Sequence, residues 1–356
     1  MFAQVHCPEI LLPVELDQYL ERGWFRMGQT IFTTNFLNFK NNFYSAVWLR
    51  IPLAEFSKNK TQQKLLKKNE GFSAKIQPAA ITPEKEALFS AYKQNIPFEA
   101  STSLHALLFG KKSNHNIYNT QEINIYEGNK LIAAGFFDLG KTSAAGISSI
   151  YDPAYKKYSL GKHLIYLKIE HCKEIGLHYF YPGYFVPGYP LFDYKLEIGK
   201  SALQYLEFTS SQWKSIANFS IARSPLQQMQ DKLKLLQNVL LENGVESKIF
   251  KYEFFDANLI PELEGIVLFD FPAFLSCAGF SEENPIVFDV RDQQYHWITC
   301  KSVWASTTAG NPEDIYSSHV LKFDHGMFSS ETPEQMSAMI IGELKSEGKM
   351  LRANSM

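Results

Sequence analysis

The sequence is poor in cysteine and has no excess of basic charge. Its 356 residues include four cysteines, and none lies within four residues of another, so zinc and iron–sulfur spacings are absent. Isolated cysteines in a chain of this size are typical of reduced thiols, and we expect no bound metal. The formal net charge is −2, whereas a general nucleic-acid binder is usually basic. Any contact with RNA must therefore use a local basic patch.

Long apolar runs are also missing. No stretch approaches 18 consecutive apolar residues, so we expect no membrane span. The first residues lack the basic start and the apolar run of a signal peptide. Together with the isolated cysteines, these absences predict a cytoplasmic protein. Aromatic residues, by contrast, make up 14% of the chain, which indicates thick cores and ring-lined clefts.

The length indicates two or three domains, at roughly 100–200 residues each. We predict an N-terminal lobe over residues 1–110, a central domain over 111–209 and a C-terminal α+β region over 210–356. Outside the central domain, apolar periodicity and Gly or Pro stops predict the elements. They are helices within 15–27, 61–69, 83–95, 99–109, 225–243 and 331–348, and strands within 30–36, 44–53, 247–254, 264–271, 285–290 and 295–305.

The central domain has the clearest pattern. It predicts three strands ("EINIYEG", "KLIAAGFFDLG" and "SAAGISSIYDP"), a helix ending at Gly176, and two more strands ("HYFYPGYFV" and "LFDYKLEIG"). Pro182 and Pro187 cannot donate hydrogen bonds within a sheet, so strand pairing should break there. The break should leave an open wedge beside the helix.

The predicted helix opens with Ser159-Leu160-Gly161. A helix N-terminus presents unpaired N–H groups and a partial positive charge, which suits a phosphate. The basic side chains of Lys156, Lys157, Lys162 and His163 lie beside it. Spacing alone favours the alternative, a serine cap with solvated lysines.

A series of motifs carries a family resemblance. The blocks are "RGWFRMG" at 22–28, "WLRIPLAEF" at 48–56, "SKNKTQQKLLKKN" at 57–69, "GFFDLG" at 135–140 and the long, specific block at 149–199. In sequence and order they resemble the arginyl-tRNA–protein transferases and their bacterial leucyl-transferring relatives. The family usually carries a cysteine group before the "LRIP" block. This chain has none there, which leaves the identity of the donor open.

The resemblance implies an α+β fold of the N-acetyltransferase type, a mixed sheet flanked by helices. It also implies an aminoacyltransferase that moves an amino acid from aminoacyl-tRNA to the N-terminal amine of a protein, usually one with an acidic N-terminus. The terminal adenosine of the tRNA would lie at the helix opening. Aminoacyl-tRNA is then a co-substrate, and no further cofactor is expected.

The chemistry suggests three catalytic candidates. Transfer needs orientation of the two substrates, a proton acceptor and stabilisation of an oxyanion, but no nucleophilic side chain. Asp152 is the leading candidate for the base or for binding the amine, and its alternative is a turn aspartate before Pro153. Tyr181 or Tyr184 could donate a hydrogen bond to the leaving oxygen. Alternation along a strand predicts that they do not both face the cleft.

The candidate substrate-binding residues fall into three groups. Basic residues could bind the acceptor stem of the tRNA or an acidic protein, although each lysine alone is also consistent with a solvated face. They are Arg26, Arg50, Lys58, Lys60, Lys64, Lys67 and Lys68. The other groups are the helix opening (Tyr158, Ser159, Leu160, Gly161 and Lys162) and the "LFDYK" block (Asp193, Tyr194 and Lys195), and Trp24 is either a core residue or a stacking platform.

Two alternatives remain from the sequence. An N-acyltransferase that uses a coenzyme A thioester could bind its pyrophosphate at the same helix opening. However, "KKYSLGK" meets only half of the longer pattern of those enzymes. The other alternative is a non-catalytic relative that has kept the fold.

Overall fold

The structure is a computed structural model, and it describes residues 1–97, 100–110, 115–305, 317 and 319–346. Within these residues the chain combines helices with four β-sheets, which confirms the predicted α+β class. No helix in the described part is long and apolar enough to cross a membrane. The predicted helix ends at residues 99 and 347–348 lie outside the described residues.

The described residues form eighteen strands and seven α-helices. The strands are β1 (Ala3–His6), β2 (Phe25–Met27), β3 (Thr30–Thr34), β4 (Phe36–Phe39), β5 (Asn42–Ser45), β6 (Val47–Pro52), β7 (Ser73–Pro78), β8 (Thr120–Glu127), β9 (Lys130–Leu139), β10 (Ser143–Tyr151), β11 (Tyr179–Phe185), β12 (Gln204–Glu207), β13 (Gln212–Ser215), β14 (Ser247–Lys251), β15 (Ala273–Cys277), β16 (Ile286–Asp289), β17 (Gln294–Ala305) and β18 (His319–Ser330). The helices are α1 (Pro13–Glu21), α2 (Lys60–Lys68), α3 (Pro83–Lys93), α4 (Leu104–Phe109), α5 (Leu160–Glu174), α6 (Pro225–Glu242) and α7 (Pro333–Ser346).

The largest sheet has eight strands in the order β13-β12-β6-β11-β10-β9-β8-β7. Only β10 and β11 are parallel neighbours, and α5 connects them. The apolar side chains of α5, among them Leu164, Ile169 and Cys172, are buried against this sheet. The predicted order of three strands, a helix and a fourth strand is confirmed. The large sheet takes strands from both sides of residue 110, so it marks no boundary there. The predicted domain limits stay a prediction.

The predicted fifth strand of the central domain is wrong. Its residues form a 3₁₀ helix, Pro190–Glu197. Pro190 occupies the first helical position, which a proline tolerates well. Leu191, Tyr194, Lys195 and Ile198 repeat at helical spacing and line one cavity. Asp193 and Lys195 therefore do not share a strand face.

A second sheet, in the order β14-β15-β16-β17-β18, forms the C-terminal part. Helix α6 covers it with a buried stripe that includes Met229, Leu233, Leu236 and Leu240, as its periodicity predicts. The strand predicted at 264–271 is wrong, because β15 begins at Ala273. Strand β18 was missed, since most of its side chains are exposed and its sequence does not alternate.

The N-terminal segment packs on this C-terminal core. Phe2 and Phe36 are almost fully buried in the same cluster as the side chains of α6 and β15. The Phe2 ring contacts Phe271 at a centroid distance of 4.9 Å, and its backbone N–H donates to Asp270. The first strand thus ties the C-terminal sheet to the part of the chain that carries the large sheet.

Candidate active site

The parallel pair β10 and β11 separates after a short contact. Pairing runs only from Ser143 opposite Tyr179 to Ala145 opposite Tyr181. Beyond this point β10 has a bulge between Gly146 and Ser148 in its pairing with β9. Pro182, which has no N–H, follows immediately on β11. The predicted break in pairing is confirmed, and a cavity of about 790 Å³ opens beside it.

The first turn of α5 forms one wall of the cavity, through Ser159, Gly161 and Lys162. Ser159 has a left-handed backbone (φ 53°), and its hydroxyl does not cap the helix. The first N–H groups of α5 are therefore left without a side-chain cap. Leu160 is fully buried in the core, so only its backbone is available to a ligand. Tyr158 lies outside the cavity wall and packs on Phe72 at 5.0 Å.

Lys195 lines the opposite wall, on the 3₁₀ helix. Its Nζ donates to the carbonyl oxygen of Tyr184 at 2.7 Å and lies 5.3 Å from the ring centres of Tyr184 and Phe192. It has no ion-pair partner among the described residues. Desolvation lowers the pKa of Lys195 to about 7. Since an ammonium has three N–H donors, two remain free to bind a group inside the cavity.

Lys168 differs from Lys195 because all its donors are used. Its Nζ donates to the carbonyl oxygens of Phe136 at 2.9 Å and Ser148 at 2.6 Å, and to Ser149 Oγ at 3.2 Å. Burial lowers the pKa of Lys168 to about 7. It joins β9 to β10 at the bulge, so its contacts are structural. Lys168 is not among the residues predicted from the sequence, although a lysine in the buried stripe of α5, between Leu164 and Cys172, is a usable signal.

Asp152 does not line the cavity. Its carboxylate accepts a hydrogen bond from the Ala154 N–H at 3.0 Å and forms an ion pair with Lys130 at 2.7 Å. The hydrogen bond from Lys130 lowers the pKa of Asp152, which makes the carboxylate a weaker base. These contacts fit the alternative role of Asp152, a turn aspartate before Pro153. Its catalytic role stays a prediction.

The two tyrosines lie on opposite sides of β11, as alternation predicts. Tyr184 lines the cavity and packs edge-on against Trp48 at 5.0 Å. Tyr181 is buried against Trp213 at 5.6 Å, away from the cavity. Of the two, only Tyr184 can contact a substrate in this cavity.

Three of the predicted basic binding residues are engaged elsewhere. Arg26 forms a buried ion pair with Asp138 at 2.8 Å, although it also reaches the cavity wall. Arg50 donates to Gln204 at 2.8 Å and lies between the rings of Tyr179 and Trp213. Lys58 pairs with Glu170 at 2.7 Å.

The remaining predicted residues divide between surface and cavity. Trp24 packs on Tyr19 at 5.5 Å and lines a second cavity, of about 500 Å³. Asp193 is exposed outside the wall, whereas Tyr194 lines the first cavity. Lys60, Lys64, Lys67 and Lys68 are exposed on α2. Around one space the structure therefore brings together Arg26, Ser159, Gly161, Lys162, Tyr184, Tyr194 and Lys195.

One group of possible metal ligands lies in the C-terminal sheet. The ligand atoms of Asp289, Asp292 and His296 lie within 4.8 Å of one another. Arg291 forms an ion pair with Asp289, and Asp292 accepts from His296 Nε2 at 2.9 Å. Both carboxylates are already engaged by these neighbours, and we assign no metal to them.

Comparison with known proteins shows which family the chain belongs to. Residues 84–205 match the family described as "Arginine-tRNA-protein transferase, C terminus". The aspartate/glutamate leucyltransferase of Leptospira interrogans is 32% identical over 194 residues, which cover 53% of this chain and 73% of that protein. The protein of the same name from Vibrio cholerae (strain ATCC 39541) is 27% identical over 191 residues, covering 53% and 79%.

Likeness to solved structures is weaker. FemX has a TM-score of 0.32 at 8% identity, covering 55% of this chain and 68% of that one. The ribosomal-protein-S18-alanine N-acetyltransferase of Escherichia coli has a TM-score of 0.23 at 15% identity, covering 30% and 63%. Scores this low carry no argument about function. The sequence matches do, and they define an enzyme that transfers amino acids. The chain belongs to the aspartate/glutamate leucyltransferase family of aminoacyl-tRNA–protein transferases.

Proposed function

We propose that this enzyme moves an amino acid from aminoacyl-tRNA to the α-amine of a protein that begins with Asp or Glu. The observation that carries the proposal is the cavity between β10 and β11. It has an uncapped helix N-terminus on one wall and the cation of Lys195, without a carboxylate partner, on the other. The names of the relatives support leucine as the first donor to test.

Each wall suits one substrate. The N–H groups of α5 and Lys162 favour the phosphates at the 3′ end of the tRNA. Gly161 has no side chain to cover them, and a Cβ there would meet only the Tyr151 ring, at 3.5 Å. Lys195 favours the side-chain carboxylate of the acceptor, because a charge-assisted hydrogen bond is about twice as strong as a neutral one. The cavity would then hold the amine next to the ester.

In the transfer step, the neutral amine attacks the ester carbonyl carbon. A C–N bond forms and the bond to the ribose oxygen breaks. The amine gives up one proton and the leaving oxygen takes one up, so the step needs no oxidant or further reactant. Burial raises the pKa of Tyr184 to about 12, so its hydroxyl stays protonated and can donate to a developing negative charge.

The proposal also covers the co-substrate, the cellular location and the biological role of the reaction. Aminoacyl-tRNA is the only co-substrate, without a bound metal, and the reaction takes place in the cytoplasm. The added residue marks the acceptor protein for degradation as an N-degron. The alternative donor is a coenzyme A thioester, whose pyrophosphate suits the same helix N-terminus.

The direct test mixes the enzyme with radiolabelled aminoacyl-tRNAs, leucyl-tRNA first, and with peptides that begin with Asp, Glu, Asn or Lys. We expect label on the Asp and Glu peptides only. A thermal shift with acetyl-coenzyme A serves as the control for the alternative donor. If no aminoacyl-tRNA gives labelled peptide, the proposal is wrong.

The Asp152→Asn variant tests the remaining catalytic prediction. A general base contributes roughly 100-fold or more to kcat, so removal of a true base would reduce kcat by that factor. Because Asp152 is paired with Lys130 outside the cavity, we expect less than a tenfold change. A loss of 100-fold, with unchanged stability, would restore Asp152 as the base.

A further inference from the structure

Four lysines form one face of helix α2. Lys60, Lys64, Lys67 and Lys68 are exposed, and their spacing of four, seven and eight residues places them on the same side. Gln62, on the other side, is buried and donates to the carbonyl oxygen of Glu197 at 3.3 Å. We call these four residues the α2 lysine face.

The α2 lysine face continues into the rim of the cavity. Lys68 Nζ donates to the carbonyl oxygen of Lys157 at 2.5 Å, and Asn69 donates to that of Tyr158 at 3.2 Å. The ammonium groups of Lys68 and Lys157 lie 5.6 and 5.1 Å from the centre of the Tyr158 ring. Two segments that are far apart in sequence thus form one basic surface. It leads to Lys156 and Lys162, which line the cavity.

This surface is not neutralised by the protein. Within the described residues, no ion pair involves the α2 lysine face or Lys156, Lys157 and Lys162. The lysines just beyond it are paired, Lys58 with Glu170 and Lys130 with Asp152. Like charges held together repel each other, and an anionic partner removes that repulsion. In a chain with a net charge of −2, this concentration favours a polyanion.

We infer that this surface binds the base-paired acceptor stem of the donor tRNA through its phosphates. The inference rests on the proposed function, because it needs the 3′ end of the same molecule in the cavity. Helix α2 is roughly 13 Å long at 1.5 Å per residue, enough to meet several phosphates of one strand. An acidic acceptor protein is the competing partner, and the test separates the two.

The test removes three charges from the far end of the surface, in the triple variant Lys60→Gln, Lys64→Gln and Lys67→Gln. Lys68 is kept because it holds Lys157. We expect KM for aminoacyl-tRNA to rise roughly tenfold or more, with kcat unchanged. The slope of log K against log salt for tRNA binding should fall by about 0.9 per lysine removed. Transfer from an aminoacylated CCA trinucleotide, which has no stem, should not change.

A matched control removes three exposed lysines elsewhere, in the variant Lys75→Gln, Lys234→Gln and Lys345→Gln. If the two triple variants had equal effects, the loss would come from the overall charge of the protein. The α2 lysine face would then not be the binding surface. An equal loss with the trinucleotide, or a rise only in KM for the acceptor peptide, would overturn the assignment to the stem. Direct tRNA binding tests the surface even if the wild type transfers nothing, in which case the proposed function alone fails.

Discussion

At the scale of single residues, hydrogen-bond contacts distinguish a structural lysine from one that is available to a ligand. Lys168 and Lys195 both have a pKa lowered to about 7 by desolvation. Lys168 uses three acceptors, whereas Lys195 uses one. Neither contact set was predictable from the sequence. The partners of Lys168 are 19 to 32 residues away, Asp138 is 112 residues from Arg26, and Gln204 is 154 residues from Arg50.

Lys168→Met should destabilise the fold. The variant keeps the length of the side chain but leaves the carbonyl oxygens of Phe136 and Ser148 without this donor, which costs about 1–3 kcal/mol for each buried group. Urea unfolding measures the loss, and exposed Lys162→Met should change stability by less than about 0.5 kcal/mol. If both variants unfold at the same urea concentration, Lys168 does not hold the bulge.

Lys195 predicts a pH dependence of stability. Its folded pKa of about 7 lies below the value of about 10.4 for an unfolded lysine. Between these values the unfolded chain binds a proton that the folded chain does not, so stability rises as pH increases through this window. Lys195→Met should reduce the rise in unfolding free energy between pH 7 and 9. Lys200→Met, at an exposed site, should leave it unchanged. Equal curves for the two variants would contradict the shift.

At the scale of elements, local pattern predicts most of the central sheet. Apolar runs bounded by the turn at Gly128 and by Pro153 identify β8, β9 and β10, and Ser159 and Gly176 bound the helix between them and β11. The pattern fails for the 3₁₀ helix at Pro190–Glu197, whose short run fits two periods, and for β18, which is mostly exposed. The sequence thus predicts the break at Pro182 but not the helix that lines the opposite wall.

Gly183→Ala should damage the acceptor site through β11. Gly183 has φ of +86°, and an added Cβ would lie 3.1 Å from Lys195 Nζ. Gly176→Ala is the matched control, because its φ is +78° and nothing lies within 4 Å of the added Cβ. Both variants should lose about 1–2 kcal/mol of stability from the left-handed backbone. Only Gly183→Ala should raise KM for Asp peptides. Equal KM values for the two variants would show that Gly183 does not shape the site for the acceptor peptide.

At the scale of the whole molecule, the part of the chain that carries the large sheet packs on the C-terminal core through aromatic rings. Phe36, next to β3 in the chain, is 1% exposed and contacts Phe2 at 5.0 Å and Phe255 at 6.3 Å. Trp48 lines both cavities. The function of the C-terminal part has no sequence signature, and the family match ends at residue 205.

Phe36→Ala should lower the unfolding free energy by about 3–5 kcal/mol, because it removes a buried ring at the junction of the two parts. Fluorescence should report the change in both parts, since Trp48 lies in one and Trp297 in the other. Phe323→Ala is the control, with a ring that is 41% exposed. A loss no larger than in the control would show that the Phe36 ring does not stabilise this junction.

The packing of Phe2 on the C-terminal core has a consequence for biosynthesis. Phe2 packs on Phe271, and Asp270 accepts its backbone N–H. Phe2 and Asp270 are 268 residues apart in the chain, so the ribosome makes Asp270 and Phe271 long after Phe2. The Phe2 ring therefore lacks its contact with Phe271 while the intervening residues are made, and chaperones that bind apolar segments have that interval in which to act.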